Sequence, residues 1–135
     1  MPSVNVSLNN IAGTEAAMGW AGSHTIVADR PAGIAGGLGL GFNGAELLAL
    51  AIGGCFCNDP RYVAHQRGIV IDEICVRVTF NLEGEPIMAT SAKMVVTCIT
   101  RDGSEAAQIV EEAKASCMVS NSISIGVPVS ISMPT

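Results

Sequence analysis

The stretch that decides the fold is Ala45-Glu-Leu-Leu-Ala-Leu-Ala-Ile-Gly-Gly-Cys-Phe-Cys57, which is apolar almost all round. A helix with this pattern is buried on all sides, so the stretch predicts a central helix. Asn58-Asp59-Pro60 follows it directly. Because proline clashes with the carbonyl four residues back, we expect the helix to kink or restart there and to continue to about Gln66.

The segments around this helix predict strands and one further helix. Apolar and polar residues alternate in four parts of the chain before and after the central helix, at residues 3–8, 69–82, 88–101 and 121–133. Residues 15–21 and 24–29 are weaker strand candidates, and a glycine-rich loop fills residues 30–44. The two long segments predict an antiparallel hairpin joined by the turn at residues 83–86. This order of elements is typical of an α+β fold.

Two details of the second half of the chain are also predicted. In the first hairpin strand, Val70 and Ile74 lie on the apolar face, whereas Ile71 and Glu73 lie on the wetter one. After the hairpin, a helix runs to about Cys117. Ser104 is expected to cap its first amides, and its apolar stripe directs Cys117 inward.

Composition indicates a single domain that associates with a second copy. The 135 residues form one domain, residues 1–135, of which 49% are hydrophobic and only 14% charged. We expect part of this apolar surface to be buried by a partner copy. The net charge of −5, without a basic run, is a poor fit to nucleic acid or to an anionic membrane. No signal peptide or membrane span is visible in the sequence, so the expected location is the cytoplasm.

Five cysteines are the main candidates for chemistry, and their odd number argues against a disulfide framework. Cys55 and Cys57 would point about 200° apart on a helix, so they cannot share a metal ion from that helix. The two histidines, His24 and His65, are isolated. We therefore predict no metal site. The glycines at residues 39–44 match a dinucleotide fingerprint as letters, but they lack the preceding strand and the later acid, so no such cofactor is expected.

Cys55 follows Gly53-Gly54 inside the predicted buried helix. Each glycine costs about 1 kcal/mol relative to alanine in such a helix. Close approach of another element, or space for a substrate beside the thiol, would compensate for this cost. Cys117 ends another helix on its buried face. From the residues alone, a structural or a functional role stays open for both cysteines.

Three motifs resemble the OsmC/Ohr family. The stretch from Gly41 to Cys55 resembles the run that leads into the family's central helix and its reactive cysteine. Cys117-Met-Val-Ser-Asn121 resembles the second signature, usually Cys-Pro-Val-Ser-Asn, and Asp29-Arg-Pro31 resembles the approach to the glycine pair Gly36-Gly37. The resemblance implies an intertwined homodimer in which antiparallel sheets wrap around central helices. It also implies that the segment after Cys117 is helical.

The resemblance further implies a thiol peroxidase that protects against organic hydroperoxides. Cys55 would attack the peroxide, Cys117 would resolve the product to a disulfide, and an external dithiol would reduce it without any cofactor. Ala45 stands where the family has a glutamate, and Glu46, one residue on, could give only indirect support because it faces the other side of the helix. Arg30 and Arg61 are the candidates for the missing arginine that favours the thiolate.

Asp59, one turn after Cys55, would raise the pKa of that thiol. An alternative function therefore stands beside the peroxidase. In it, the protein has the family fold without the activity, and it binds a small apolar ligand or senses the redox state.

Overall fold

The computed structural model describes residues 2–134, and the α+β prediction is confirmed. Three helices and five strands follow one another in the order β1 (Ser7–Asn10), β2 (Ala17–Ala21), β3 (His24–Ala28), α1 (Gly44–Gln66), β4 (Ile71–Glu83), β5 (Met88–Thr100), α2 (Ala106–Ser116) and α3 (Met118–Ile125). None of the helices within this range has both the length and the apolar character that crossing a bilayer requires. Two compact units, residues 2–48 and 49–134, are described separately below. The single domain stays a prediction.

The first unit is an antiparallel meander followed by the glycine-rich loop. Its three strands lie in the order β1-β2-β3, and Ser7 pairs with Trp20. The predicted strand at residues 3–8 begins only at Ser7, because β2 ends at Ala21 and offers earlier residues almost no partner. In the loop, the buried carboxylate of Asp29 accepts the backbone N–H groups of Leu40 and Leu38 at 3.0 and 3.1 Å. These bonds, that from Leu40 first, lower the pKa of Asp29.

Helix α1 is stabilised at both ends by its own sequence. At its start, the amide N–H of Glu46 donates to the Asn43 side chain at 2.9 Å, and the Glu46 carboxylate accepts the Asn43 N–H at 3.0 Å. This is a reciprocal capping box. At its end, Gly68 adopts a left-handed conformation with φ 68°. The N–H groups of Gly68 and Ile69 then bind the carbonyls of His65 and Ala64, which is a Schellman motif.

The expected restart at Pro60 and the expected burial of the helix on all sides are both wrong. α1 runs without interruption through Pro60, so no break or restart occurs there. The proline ring is fully buried, and this burial offsets the hydrogen bond that proline cannot donate. The helix is also not buried on all sides within one protomer, because 39% of Leu48 and 53% of Leu50 are exposed.

The second unit is built on the predicted hairpin of β4 and β5, which the structure confirms as antiparallel. One residue of β4 departs from the sequence interpretation. Ile71 was assigned to the wetter face but is only 6% exposed and belongs to the core. The register shifts between Ile71 and Glu73, and this irregularity changes which face each residue takes.

The core of the second unit joins α1 and α2 to the hairpin. Its buried members are Phe56, Val63, Ala64, Ile71, Ile109, Ala113 and Cys117. Side chains from β4 and β5, including Ile74 and Val96, pack against this cluster. Close packing explains the glycine at position 53, because a Cβ atom there would lie 2.9 Å from Cγ2 of Val78. Close packing of β4 on α1 therefore requires glycine at this position.

The ends of the last two helices correct two further predictions. Ser104 does not cap α2, since its N–H and hydroxyl both donate to the Asp102 carboxylate, at 3.0 and 2.7 Å. Residues 118–125 form α3, as the resemblance implied, so the strand predicted over 121–133 is wrong there. Residues 126–134 are exposed and have no regular secondary structure. Alternation alone does not form a strand without a neighbouring strand to pair with.

Candidate functional site with paired thiols

Two cysteines that are far apart in the chain meet in the second unit. The sulfurs of Cys55 and Cys117 lie 4.0 Å apart, although 62 positions separate the two residues. A disulfide requires about 2.05 Å between the sulfurs, and both cysteines are free thiols here. An approach of roughly 2 Å would join them. The pair is therefore poised for oxidation without being oxidised.

The helices determine where each sulfur lies. Cys55 stands in the middle of α1, next to the buried Phe56. Cys117 lies between α2 and α3 with an extended backbone, φ −66° and ψ 107°, so the chain turns at this residue. Its side chain continues the stripe of Ile109 and Ala113, and all three are 0% exposed. Cys55 is only half-buried. The two thiols thus differ in their access to solvent.

Polar groups surround both sulfurs. The backbone N–H of Val119 lowers the pKa of Cys55, and the S–H of Cys117 donates to the Ser120 hydroxyl oxygen at 3.2 Å. The carboxylate of Asp59 lies 3.6 Å from the Cys55 sulfur and accepts its S–H. The N–H of Val119 favours a thiolate at Cys55, whereas the Asp59 carboxylate opposes one.

The balance of these effects favours the protonated thiol of Cys55. Burial is the main cause that raises the pKa of Cys55 above its usual value. The negative charge of Asp59 and the neighbouring Cys117 raise this pKa further, and the N–H of Val119 lowers it. The expected effect of Asp59 on this thiol is confirmed.

The other predicted site residues make contacts of their own. Arg30, in the first unit, pairs with Asp29 at 3.2 Å and donates to the carbonyl of Glu15. Arg61 donates to the carbonyl of Ile71 at 3.2 Å. Burial raises the pKa of Cys98, and the positive charge of Arg61 reduces this increase. Glu46 is part of the capping box of α1.

Asp59 completes a set of three ligand groups that the sequence interpretation did not consider. The sulfurs of Cys55 and Cys117 and a carboxylate oxygen of Asp59 all lie within 4.8 Å of one another. Cys117 lies 62 positions from Cys55, so ligand spacing in the sequence does not reveal it. The spacing of Cys55 and Asp59 was a usable signal, because residues four apart share one face of a helix.

The fold and the paired thiols define an α+β protein with a buried dithiol. The chain matches the family model described as OsmC-like protein over residues 36–132, and it belongs to this family. No curated protein sequence matches it.

Solved structures share the fold at low identity. The OsmC-like protein of Mycoplasma pneumoniae has 14% identity and a TM-score of 0.74, covering 91% of this chain and 88% of that one. The organic hydroperoxide resistance protein OsmC of Legionella pneumophila has 20% identity and a TM-score of 0.58, covering 90% and 88%. The organic hydroperoxide resistance protein OhrB of Bacillus subtilis has 24% identity and a TM-score of 0.54, covering 88% of both chains.

Proposed function

We propose that this protein is a thiol-dependent peroxidase that reduces organic hydroperoxides through Cys55 and Cys117. The observation that carries the proposal is the distance of 4.0 Å between the two sulfurs. Two proteins that share the fold are described as organic hydroperoxide resistance proteins, from Legionella pneumophila and Bacillus subtilis. Membership of the same family supports a related role in oxidative stress.

The reaction proceeds in three balanced steps. The Cys55 sulfur attacks a peroxide oxygen, the O–O bond breaks, and the products are a sulfenic acid on Cys55 and the alcohol. The thiol of Cys117 then attacks the Cys55 sulfur, which forms the disulfide and releases water. An external dithiol finally exchanges with this disulfide, restores both thiols and becomes a disulfide itself. These steps require no cofactor.

The difference in burial supports different roles for the two thiols. Cys55 is half-buried and can be reached from solvent, whereas Cys117 is 0% exposed. A peroxide therefore meets Cys55 first, and Cys117 is the resolving thiol. Cys117 belongs to the apolar core cluster that contains Phe56 and Ile109, and Cys55 packs against this cluster. This environment suits a lipophilic peroxide better than hydrogen peroxide.

A cation close to Cys55 would favour its thiolate. Arg30 and Arg61 stay candidates, but their contacts commit them to Asp29 and to the carbonyl of Ile71. Glu46 is a candidate for indirect support only. Free thiols persist in a reducing compartment, so we place the reaction in the cytoplasm.

We also propose that the protein acts as a homodimer. Large apolar side chains remain exposed on α1, on β5 and beyond α3, including Leu50 at 53%, Val95 at 55% and Ile131 at 93%. A monomer rarely leaves so much apolar surface in water. A second copy would cover these apolar side chains and would provide a pairing partner for the backbone of residues 126–134.

Turnover with tert-butyl hydroperoxide and dithiothreitol tests the peroxidase. We expect Cys55→Ser to abolish peroxide consumption. Cys117→Ser should leave a sulfenic acid on Cys55 that dimedone traps. Cys75→Ser is the matched control, because Cys75 is exposed and outside the site, and it should retain full activity. A Cys55→Ser protein with unchanged consumption would remove the catalytic assignment.

One observation favours a second candidate function. The raised pKa of Cys55 leaves less thiolate at neutral pH and slows attack on a peroxide. A slow dithiol suits a redox sensor, or a protein that binds a small apolar ligand without turning it over. One oxidation per protomer without multiple turnovers would identify the sensor, and no oxidation with a bound apolar ligand would identify the binding protein.

A further inference from the structure

We propose that Cys55, Asp59 and Cys117 bind one thiophilic divalent cation of the zinc type. Three different ligand groups converge here from two parts of the chain, and their donor atoms all lie within 4.8 Å of one another. Zinc sites commonly use two thiolates and a carboxylate oxygen among their ligands. The binding itself does not depend on the peroxidase activity.

Two of the three separations between the donor atoms match those of a tetrahedral site, and the third is within 4.8 Å. With Zn–S bonds of about 2.3 Å, two thiolates on one zinc ion lie about 3.8 Å apart, and the observed separation is 4.0 Å. With a Zn–O bond of about 2.0 Å, a sulfur and an oxygen ligand lie about 3.5 Å apart, and the Cys55–Asp59 distance is 3.6 Å. Both separations therefore suit chelation without a rearrangement of the helices.

A bound cation would also balance the charge that the ligands carry once both thiols are deprotonated. Two thiolates and one carboxylate would place three negative charges in a half-buried site, which is unfavourable without a positive partner. The guanidinium of Arg61 is directed to the carbonyl of Ile71. A divalent ion would displace one proton from each thiol and leave a net charge of −1 on the complex. The fourth coordination position would stay open for water or another small ligand.

Groups that surround the two sulfurs would favour thiolates bound to the metal. The N–H of Val119 lowers the pKa of Cys55, and the Ser120 hydroxyl, which accepts the Cys117 S–H at 3.2 Å, would donate to that sulfur once metal binding has displaced its proton. Such hydrogen bonds orient ligands and stabilise their charged form in metal sites. Both donors lie on the short segment directly after Cys117, so α3 would act as the support of the site.

Metal binding and disulfide formation exclude each other, because both use the same two sulfurs. This consequence rests on the proposed function. The ion would protect the thiols and block turnover, and oxidation to the disulfide would release it.

Zinc binding to the reduced protein, measured by competition with a chromophoric chelator under anaerobic conditions, tests the proposal. We expect one zinc ion per protomer. Cys55→Ser, Cys117→Ser and Asp59→Asn should each weaken affinity about tenfold or more, while the Cys75→Ser control changes it less than about twofold. Unchanged affinity in the three variants, or no binding by the wild type, would overturn the proposal.

Cobalt(II) provides a second readout that needs no variant. A tetrahedral site with two thiolates gives sulfur-to-cobalt charge-transfer absorption in the near ultraviolet, and we expect this band to saturate at one equivalent. Octahedral cobalt without the charge-transfer band would contradict the site. Neither readout involves a peroxide, so failure of the peroxidase proposal and failure of the metal proposal are distinguishable.

Discussion

Asp59 places a carboxylate oxygen 3.6 Å from the sulfur of Cys55, one turn further along α1. This carboxylate raises the pKa of the thiol, whereas a thiol peroxidase requires a low one. The Cys55 thiol therefore differs from a thiol whose pKa is lowered by a neighbouring arginine. It also explains why a cation at this position would change the chemistry of the site.

Removing the Asp59 charge should make Cys55 more reactive. In Asp59→Asn, the amide keeps the shape and the acceptor oxygen, but the negative charge is lost, so the pKa of Cys55 falls towards its usual value. We expect severalfold faster iodoacetamide labelling of Cys55 at pH 7, measured by mass spectrometry of its peptide. In the wild type, labelling should still rise with pH beyond the usual thiol pKa. Asp72→Asn is the control, because Asp72 pairs with Arg101 at 2.9 Å, and an equal acceleration there would contradict the assignment.

Two adjacent glycines should respond in opposite ways to alanine. Gly53→Ala pushes a Cβ against Val78, whereas a Cβ at Gly54 meets nothing within 4 Å. Alanine in an open helix position stabilises by about 1 kcal/mol. In urea unfolding, we expect Gly53→Ala to destabilise and Gly54→Ala to stabilise the protomer. Loss of stability in Gly54→Ala would show that another surface, such as that of a partner copy, covers this position.

Variants of the capping box distinguish a structural role of Glu46 from a chemical one. Asn43→Ala removes the acceptor for the Glu46 N–H and should cost about 1 kcal/mol in the free energy of unfolding. Glu46→Gln keeps a capping side chain, so stability and peroxide turnover should both stay close to wild type. A strong loss of turnover in a well-folded Glu46→Gln protein would instead place Glu46 in the chemistry.

The sequence predicted the order of elements from β1 to α2, the hairpin and the buried position of Cys117, because hydrophobic periodicity reports directly on these features. It did not predict the continuity of α1 through Pro60. That depends on tertiary burial of the proline ring, which no local pattern contains. The buried position of Ile71 depends on a register shift in β4, and a strictly alternating pattern cannot show it.

The candidate site was predictable only in part. The resemblance singled out Cys55 and Cys117, and helical spacing singled out the effect of Asp59 on the thiol. The meeting of all three groups needed the packing of α2 against the rest of the unit, which brings position 117 beside position 55. Ligands that converge from distant segments leave no spacing motif in the sequence.

Association of two copies should depend on the exposed tail. Val129 and Ile131 are 80% and 93% exposed, so an aspartate at either position adds charge to a surface that the proposed dimer buries. We expect the wild type to sediment as a dimer at micromolar concentration. Val129→Asp with Ile131→Asp should shift the equilibrium towards the monomer. A wild-type protein that sediments as a monomer at every concentration would reject the dimer.

Peptide mapping of the disulfides formed under peroxide tests the central claim most directly. The reduced protein is treated with one equivalent of tert-butyl hydroperoxide, free thiols are blocked, and linked peptides are identified by mass spectrometry. We predict rapid formation of the Cys55–Cys117 disulfide and its complete reversal by dithiothreitol. Cys55 that stays free, or a link from Cys55 to Cys57 in its place, would contradict the account.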